Sequence, residues 1–591
     1  MDEKQRTLGQ LETLPDVADL LLGFCLRRPS DRLLDPSCGA GAFLQRAAIW
    51  RDWLADSPAD LSPDGLWGVD LDEATVASAR NALPQAKILN HNFFTLEPDK
   101  SFDAILGNPP HIRADRIGRL YRGAGKQLAL GWAETGKLAT KKPQDDETTR
   151  LIPRHLWQSL SHRSGLYAYF FLHSLQFLRE GGRLGFIVPS NWLDAAYGAD
   201  LKQFLLDHFR LVALIESNVE PWLPQTNLDA CLVVLEKCSD PNRRAANLTR
   251  LAVLKRPLSH FIPFAHDNPR RLLAVERLVP RLLPSDNRRA PDFDVRVLPQ
   301  WKLDAAAKWG VVLRAPEVLW QRQERDDLPP LQSWATIQRG FTTGANRFFY
   351  LDKATIEQWG IELAFRRPLL KNLHEIDKLQ LDQTESQTET LWLPAGTNWD
   401  SAAPYVEWGE AQGFHQRSVC AARQPWFSLP AQPPAQLLLP KSVRRRHIAP
   451  LLTHDLPADQ QIYRLSLADD VPPEAAAALL NSAWFALQCE LQGRNNFGEG
   501  LLWLAKYELA AILLPDPRRL TADQTAQLTR CFEPLAQRPI GDTLDELTQP
   551  DRQALDTAVF DILNLTAAER TAVIDALRDR IAARLNEWAS R

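Results

Sequence analysis

The chain has 591 residues, which is too long for one hydrophobic core and predicts three to four domains. Its 45% hydrophobic and 24% charged residues are typical of a soluble globular protein. The formal net charge of -4 gives no whole-chain argument for nucleic-acid binding, but it does not exclude such binding because the charge is unevenly spread.

The cysteines and the apolar runs bear on the cellular compartment of the protein. The seven cysteines stand singly and form no Cys-x-x-Cys pair, which argues against a zinc site and against a disulfide framework. No apolar run approaches the roughly 18 residues of a membrane span, and no signal-like region follows Met1. The sequence therefore predicts a cytoplasmic protein with no membrane segment and no metal.

The N-terminal part of the chain predicts helices alternating with strands. A helix over residues 11–26 precedes a short strand, which enters the small-residue turn at 35–41 and leaves into a second helix. Further strands are predicted at residues 66–70, 87–89 and 102–107. This alternation predicts a mostly parallel sheet whose ligand crevice lies at the carboxyl ends of the strands.

Polar residues follow each of these strands, namely Asp35, Asp70, Asn92 and Asn108. The small residues after Asp35 let a ligand approach the backbone, and its carboxylate suits a cationic or amino-bearing ligand. An acidic residue in the position of Asp70 is placed to accept hydrogen bonds from ribose hydroxyls. We therefore expect one binding site at this edge of the sheet.

The tetrapeptide Asn108-Pro109-Pro110-His111 ends the fourth strand. Proline fixes its own φ and holds the preceding residue extended, which leaves the Asn108 side-chain oxygen and the Pro109 carbonyl as fixed acceptors. Two acceptors suit a substrate amino group, which brings two N–H donors. An ordinary turn remains the alternative for the tetrapeptide taken alone.

These motifs resemble those of the Taq-type, gamma-ordered adenine-N6 DNA methyltransferases. The family's cofactor signature, D-P-x-C-G-x-G-x-F-L, is matched by residues 35–44, and its N-P-P-aromatic signature is matched at 108–110. The stretches 165–171 and 178–192 continue the match. The resemblance implies a Rossmann-like S-adenosylmethionine-dependent methyltransferase domain over residues 1–240.

The resemblance also implies a reaction, the transfer of a methyl group from S-adenosylmethionine to an adenine flipped out of double-stranded DNA. The implied catalytic residues are Asn108, Pro109, Pro110 and His111. The implied cofactor-binding residues are Thr13, Asp35, Pro36, Ser37, Cys38, Gly39, Gly41, Asp70, Asn92, Phe93 and Asn108.

Three positions depart from the family pattern. His111 stands where the family has an aromatic residue that stacks on the flipped base, and Asn92 replaces an aspartate. The position of the family's second stacking aromatic residue aligns with Leu223, so the neighbouring Trp222 would have to stack on the base instead. These departures leave open an alternative, a catalytically weakened DNA-binding or sensor subunit that needs a partner.

The rest of the chain predicts three further regions. Eleven Lys/Arg against three acids between residues 241 and 290 indicate a basic linker, which we place at 241–325. The stretches 331–350 and 494–504 resemble the opening and the close of a mixed α/β target-recognition domain, placed at 326–518. Helical periodicity predicts a helical region over 519–591.

Within the recognition domain, we expect Gly344, Asn346 and Phe497 to be structural turn and core residues. The predicted DNA-contacting residues are His111, Trp222, Lys441, Arg444 and Arg445. The insert at 119–151 has two interpretations, a mobile loop over DNA and a segment without function.

The expected partner is duplex DNA, and a separate restriction or defence-system subunit is a candidate second partner, because the chain shows no nuclease signature. A protein-glutamine methyltransferase is a further alternative, since N-P-P-Tyr also serves enzymes that act on an amide nitrogen. Those enzymes are short chains without a recognition domain, which weighs against this alternative.

Overall fold

The structure is a computed structural model that describes residues 13–112, 152–223, 229–325, 328–374, 376–382, 388–393, 396, 398–494 and 500–589. The insert at 119–151 and Phe497 lie outside the described residues. The chain forms two compact units, Met1–Arg314 and Ala315–Arg591.

The first unit is built on a ten-stranded sheet with the order β3-β2-β1-β4-β5-β7-β6-β8-β10-β9. The strands are β1 (Leu33–Asp35), β2 (Leu66–Asp70), β3 (Lys87–Asn90), β4 (Phe102–Gly107), β5 (Leu178–Pro189), β6 (Phe209–Ser217), β7 (Ala230–Lys237), β8 (Leu248–Leu254), β9 (Arg288–Arg289) and β10 (Phe293–Pro299). The α-helices are α1 (Pro15–Cys25), α2 (Ala42–Leu54), α3 (Glu73–Ala82), α4 (Arg154–Trp157), α5 (Leu166–Ser174), α6 (Ala199–His208), α7 (Pro241–Ala245), α8 (Leu258–Phe261), α9 (Arg270–Arg281) and α10 (Trp309–Arg314).

Strand β1 lies inside this sheet, parallel to β2 on one side and to β4 on the other. Its three residues are buried, as expected of a strand that carries helices on both faces. Strands β3 and β5 extend the parallel region, and β7 then enters antiparallel between β5 and β6. The predicted α/β fold class with a mostly parallel sheet around the site is confirmed.

The stretch expected to be a basic linker instead continues the sheet. Strand β8 pairs in parallel with β6, and β10 and β9 follow as antiparallel neighbours. Buried Ala252, Leu254, Phe293 and Val295 join the core of the first unit. Except for the buried Arg271, the arginines between them occupy exposed and half-buried positions, so charge counting alone concealed the apolar faces of these strands.

A buried carboxylate on helix α1 pairs with side chains of two neighbouring helices. Asp19 has no exposed surface and accepts from Arg46 Nε at 2.8 Å and from Trp50 Nε1 at 3.2 Å. Arg271 on α9 forms a further ion pair with Asp19 and reaches Asp16 as well. Because these cations come from α2 and α9, the cluster joins three helices on one face of the sheet.

The second unit contains three small sheets, with strand orders β11-β19-β16-β18-β14, β12-β15-β13 and β17-β20. The strands are β11 (Ala335–Arg339), β12 (Tyr350–Leu351), β13 (Arg366–Leu369), β14 (Gln380–Leu381), β15 (Thr388–Leu391), β16 (Leu437–Pro440), β17 (Ser442–Val443), β18 (Leu451–Leu452), β19 (Ile462–Leu467) and β20 (Leu502–Trp503). The α-helices are α11 (Glu317–Arg325), α12 (Asn346–Phe349), α13 (Lys353–Trp359), α14 (Ala403–Ala411), α15 (Ser418–Ala421), α16 (Pro473–Leu480), α17 (Ala483–Gln492), α18 (Lys506–Ala510), α19 (Ala522–Ala536), α20 (Thr543–Glu546), α21 (Pro550–Ile562) and α22 (Ala567–Ala589).

The mixed α/β region and the C-terminal helices were expected as two regions, and they form one compact unit. The buried His447, Glu490 and Arg584 join them, with Arg584 Nη2 2.5 Å from Glu490 Oε1. In the turn after β11, Gly344 has φ of +78°, and a Cβ there would lie 2.8 Å from Val419. A structural role for this glycine agrees with the expectation from the sequence.

Two kinds of feature are absent from the part of the chain that the structure describes. No helix there has the length and apolarity needed to cross a bilayer. The same residues hold no cluster of three or more histidine, cysteine or acidic side chains suited to a metal ion.

The Asp19 cluster makes a stability prediction. Asp19→Asn removes a fully buried carboxylate that pairs with the guanidinium groups of Arg46 and Arg271, and we expect it to cost the first unit about 3–5 kcal/mol of unfolding free energy. The matched control is Asp294→Asn, because the Lys255–Asp294 pair is about one-third exposed. We expect that control to cost less than about 1 kcal/mol in the same chemical denaturation experiment. Equal losses of unfolding free energy in the two variants would contradict the role of Asp19 as the centre of a buried ion cluster.

Candidate functional site

The loop after β1 is held against the neighbouring strand. The backbone N–H of Cys38 donates to the Val69 carbonyl on β2 at 3.0 Å. Gly68 leaves the space for this approach, because a Cβ there would lie 2.8 Å from Cys38 Sγ. Gly39 and Gly41 have φ of +51° and +88°, a backbone conformation that favours glycine, and helix α2 begins directly after Gly41.

Asp70 ends β2 and connects this loop to the second strand. Its carboxylate accepts from the N–H of Gly39 and from the N–H of Asp72, each at 2.9 Å. Burial raises the pKa of Asp70, while these N–H donors oppose part of the effect. The side chain therefore lies at the carboxyl edge of the sheet, as predicted, and it also orders the loop.

Asp35 ends β1 and is buried below the same loop. The Ser37 N–H donates to its Oδ1 at 3.1 Å. Burial raises the pKa of Asp35 to about 8; the Ser37 N–H lowers it and the Asp70 charge raises it further. A Cβ on Gly107 would lie 3.0 Å from Asp35 Oδ1, so glycine keeps this carboxyl group next to the end of β4.

Asn108 lies beside Asp35 because β4 pairs directly with β1. Its Nδ2 donates to Thr13 Oγ1 at 3.2 Å, and its backbone carbonyl accepts from Ser37 Oγ at 3.4 Å. Thr13 lies just before α1, the helix anchored by the Asp19 cluster. The amide is thereby oriented with its donor end toward Thr13 and its acceptor end away from it.

His111 follows the two prolines and is half-buried. Burial lowers the pKa of its imidazole to about 4, although a contact with the Ile187 backbone acts in the opposite direction. The ring is therefore neutral near pH 7. The next residue, Ile112, accepts from the N–H of Leu166 at 3.0 Å, which joins the tetrapeptide to the start of α5.

Asn92 and Phe93 follow β3. Asn92 Oδ1 accepts from the N–H of Phe94 at 3.1 Å and caps the short turn that begins there. The Phe93 ring stacks on Phe170 at 5.4 Å between centroids and meets His173 edge-on. Phe93 is therefore packed in an aromatic cluster, and its predicted contact with a cofactor stays a prediction.

Trp222 does not have the position expected of a base-stacking residue. Only 2% of its surface is exposed, and it belongs to the core of the first unit together with Leu223. Its Nε1 donates to Glu220 Oε1 at 3.0 Å. A stacking role for Trp222 is not supported by this placement, because an indole inside the core has no free ring face.

Sequence reasoning did not select Tyr167, Asn191 and Tyr197 as site residues, yet the structure groups them beside the tetrapeptide. The Tyr167 hydroxyl donates to Asn191 Oδ1 at 3.4 Å and is hydrogen-bonded with Tyr197. Strand β5 runs along β4, with Phe186 opposite Gly107, and so leads toward Asn191 near the tetrapeptide at 108–111. Tyr167 and Asn191 belong to the motif stretches 165–171 and 178–192, but their spacing in the sequence does not predict that they lie close together.

The predicted DNA-contacting residues of the second unit differ in their surroundings. Arg444 is exposed, and its carbonyl accepts from Arg584 Nη1 at 2.6 Å. Arg445 is also exposed and pairs with Asp542 at 2.9 Å. Lys441 is half-buried, and desolvation, followed by the Arg339 charge, lowers its pKa. Arg444 and Arg445 are therefore the two exposed cations of the three, and Lys441 is the more buried one.

The site brings acceptors and acidic groups together at one edge of the sheet. Asp35 and Asp70 supply carboxylates, and Asn108 supplies an oriented amide next to proline carbonyls. Such an edge favours one ligand with positive charge and hydroxyl groups, and a second ligand that donates hydrogen bonds from an amino group. Its polar groups come from separate strands, and the sheet order alone makes them neighbours.

Comparison with known families gives two matches in different parts of the chain. Residues 70–221 match the Eco57I restriction-modification methylase family. Residues 310–547 match the C-terminal domain family of the Type II methyltransferase M.Eco57I. The first match includes the Asn108 tetrapeptide, and the second covers most of the second unit.

Individual proteins agree with this result. The Type II methyltransferase M.XamI of Xanthomonas campestris pv. amaranthicola is 22% identical over 454 residues, which are 73% of this chain and 71% of that protein. M.AccI of Acinetobacter calcoaceticus is 21% identical over 300 residues, 48% of this chain, and the match spans about half (49%) of its length.

A solved structure shows a similar fold over most of the chain. The Type IIL restriction-modification enzyme MmeI in complex with DNA aligns with a TM-score of 0.53 and 13% identity, over 96% of this chain and 75% of that one. This likeness concerns the fold, and it agrees with the predicted methyltransferase sheet carrying additional domains.

The raised pKa of Asp35 predicts a pH dependence of stability. Because the folded protein holds the proton more tightly than the unfolded chain, this group's contribution is complete below about pH 4 and is lost as pH rises through about 8. Asp35→Asn is neutral throughout. We expect the wild type to lose up to about 1 kcal/mol per pH unit relative to Asp35→Asn between pH 5 and about 8. Chemical denaturation of both proteins across this pH range measures the difference in their unfolding free energies. A difference that does not change with pH would contradict the inference that Asp35 is buried and protonated.

Proposed function

Since the chain is a relative of the Eco57I-type restriction-modification methyltransferases, we propose that it is a gamma-class, site-specific DNA methyltransferase. It transfers a methyl group from S-adenosylmethionine to the N6 amino group of adenine in duplex DNA. The observation that carries this proposal is the Asn108 tetrapeptide, held by Thr13 and Ser37 beside the buried Asp35.

Adenine is favoured because its exocyclic nitrogen needs the acceptors that this tetrapeptide supplies. The amino lone pair is delocalised into the ring, which makes the nitrogen a poor nucleophile. Asn108 Oδ1 and the Pro109 carbonyl accept its two hydrogens and favour a pyramidal nitrogen with a localised lone pair. Orientation and electrostatics then provide the catalysis, without a covalent intermediate on the protein.

The residues at the sheet edge fit S-adenosylmethionine. The Gly107 position supports this fit, because a Cβ there would intrude on Asp35 and close the cradle. The loop at 36–41 would hold the methionine part, Asp70 the ribose hydroxyls and Asn92 the adenine amino group. The cofactor supplies an electrophilic methyl group. Asp35, buried below the loop, supplies a negative charge when binding of the cationic ligand releases its proton.

The target adenine must leave the duplex to reach Asn108. We assign His111 as the side chain that stacks on it, because its imidazole stays neutral well below pH 7 and therefore brings no charge into the pocket. Stacking on imidazole covers less area than stacking on a tyrosine or tryptophan ring. Binding of the flipped base by this ring is therefore weaker than in relatives with a larger aromatic residue.

The second unit is the part that we assign to DNA recognition. Arg444 and Arg445 are exposed cations suited to phosphate contacts, and Arg445 would exchange its pair with Asp542 for such a contact. Lys441 adds a charge beside the Trp503 ring, at 5.5 Å from the centroid. A separate restriction or defence-system subunit remains the proposed partner in the cytoplasm.

A catalytically weakened DNA-binding or sensor subunit is the second candidate, and the core position of Trp222 favours it. With Trp222 inside the core, His111 is left as the one stacking residue assigned to the flipped base. A protein-glutamine methyltransferase is disfavoured by the second compact unit of Ala315–Arg591.

The proposed reaction can be tested by single-molecule sequencing of genomic DNA from cells that express the wild type or Asn108→Ala. We expect modified adenines in one short sequence motif with the wild type and none with the variant, because Asn108 binds the reacting amino group. Purified Asn108→Ala should still bind S-adenosylmethionine, which separates loss of chemistry from loss of fold.

Two outcomes would overturn the proposal. A modified-adenine signal that persists in Asn108→Ala would remove the tetrapeptide from the reaction. No signal from a wild type that binds the cofactor would favour the weakened, partner-dependent component.

Cofactor binding itself has a predicted pH dependence. A positively charged ligand favours ionised Asp35, whose pKa is raised to about 8 in the free protein, so binding must release a proton at lower pH. We expect affinity for S-adenosylmethionine to fall by up to about tenfold per pH unit below pH 8. Asp35→Asn should bind more weakly with little pH dependence, and the exposed-site control Asp52→Asn should behave as the wild type. Calorimetric titration measures all three proteins, and a pH-independent wild type would contradict the role of Asp35.

A further inference from the structure

A partly buried ion cluster ties the end of the first unit to the loop that follows β5. Arg314, the last residue of that unit, donates from Nη1 to Asp194 Oδ2 at 2.8 Å. Its Nε and Nη2 each donate to the Glu216 carboxylate at 2.7 Å. Burial alone would lower the pKa of Arg314, but Glu216 and Asp194 hold it well above its ordinary value, so the cation is permanent.

The segment that leads to Arg314 adds further contacts with the same loop. Trp309 meets the buried Trp192 edge-on, with 6.0 Å between ring centroids. Lys202 Nζ donates to the carbonyls of Leu193 and Ala307, at 3.0 and 2.6 Å, and so bridges the loop and the segment. These contacts join the segment to the loop independently of the Arg314 pair.

The other side of this loop lies beside the tetrapeptide. Asn191 accepts from the Tyr167 hydroxyl at 3.4 Å, and Tyr197 is hydrogen-bonded with the same hydroxyl group. Tyr167 belongs to α5, whose first residue Leu166 donates to the Ile112 carbonyl directly after His111. The loop at 190–198 therefore connects the Arg314 cluster with the surroundings of the catalytic motif.

We propose that Arg314 is a positioning residue that holds the loop at 190–198, and with it Asn191 and Tyr167, in the arrangement that receives the target base. This inference rests on the proposed function. Arg314 touches no reacting group, and it acts through Asp194 and the loop. A planar guanidinium can bind Glu216 with two N–H groups while a third reaches Asp194, a geometry that a lysine ammonium cannot reproduce.

The test compares the full-length wild type with Arg314→Met, Arg314→Lys and the control Arg538→Met. Arg538 also pairs with two carboxylates, Glu546 and Asp551, in the second unit, so its loss matches the change in charge. Hydrogen exchange is followed for peptides covering 190–198. Single-turnover methyl transfer to unmethylated genomic DNA and affinity for S-adenosylmethionine are measured on the same preparations.

For Arg314→Met we expect at least about tenfold faster exchange across 190–198. Methyl transfer should be at least about tenfold slower, with cofactor affinity within about twofold of the wild type. Arg314→Lys should have an exchange rate and a methyl-transfer rate between those of the wild type and of Arg314→Met. Arg538→Met should match the wild type in all three measurements. If Arg314→Met does not fold, Asp194→Asn serves instead, because it breaks the loop contact and leaves the pair with Glu216.

Three results would overturn the positioning role: unchanged exchange at 190–198, an unchanged methyl-transfer rate, and a loss of cofactor affinity that parallels the loss of rate. A wild type that transfers no methyl group to any DNA would overturn the proposed function instead. The exchange measurement is independent of activity and would still show whether Arg314 holds the loop.

Discussion

Strand β1 runs between β2 and β4 with both neighbours parallel to it, and this pairing brings Asp35, Asp70 and Asn108 to one edge of the sheet. The three residues are far apart in the chain, so no local turn could group them. Parallel strands need helical crossovers, and the loop that starts the first crossover is the one that Asp70 orders through Gly39. The site therefore follows from the strand order.

Buried charge is used in two different ways in the first unit. Asp19 is surrounded by arginines, and this compensation makes it an anchor for α1 and so for Thr13 beside Asn108. Asp35 has no ion pair with an arginine or lysine among the residues that the structure describes, and burial raises its pKa to about 8. A carboxyl left without a cation in the core is costly, and a cationic ligand would relieve that cost. The contrast separates a structural carboxylate from one suited to binding.

The side of the site that we assign to the target base is supported from a different part of the chain. Residues 304–314 lie after the last strand of the sheet, yet Arg314 and Lys202 connect them with the loop at 190–198. That loop reaches Tyr167 through Asn191. The groups proposed to bind the cofactor and those proposed to receive the target thus depend on separate polar clusters, centred on Asp19 and on Arg314. We expect substitutions in the two clusters to affect different steps.

The sequence by itself determined the strands and turns around the site, since Asp35, Asp70 and Asn108 each end a short apolar run and local periodicity reports such runs. It also identified the tetrapeptide, because proline acts through its own backbone. Only the tertiary structure decided that residues 248–299 extend the sheet and that Trp222 lies in the core. The ion pairs of Arg314 with Asp194 and Glu216 are likewise evident only from the tertiary structure. Burial and long-range pairing depend on contacts between distant segments, which neither charge counts nor spacing can encode.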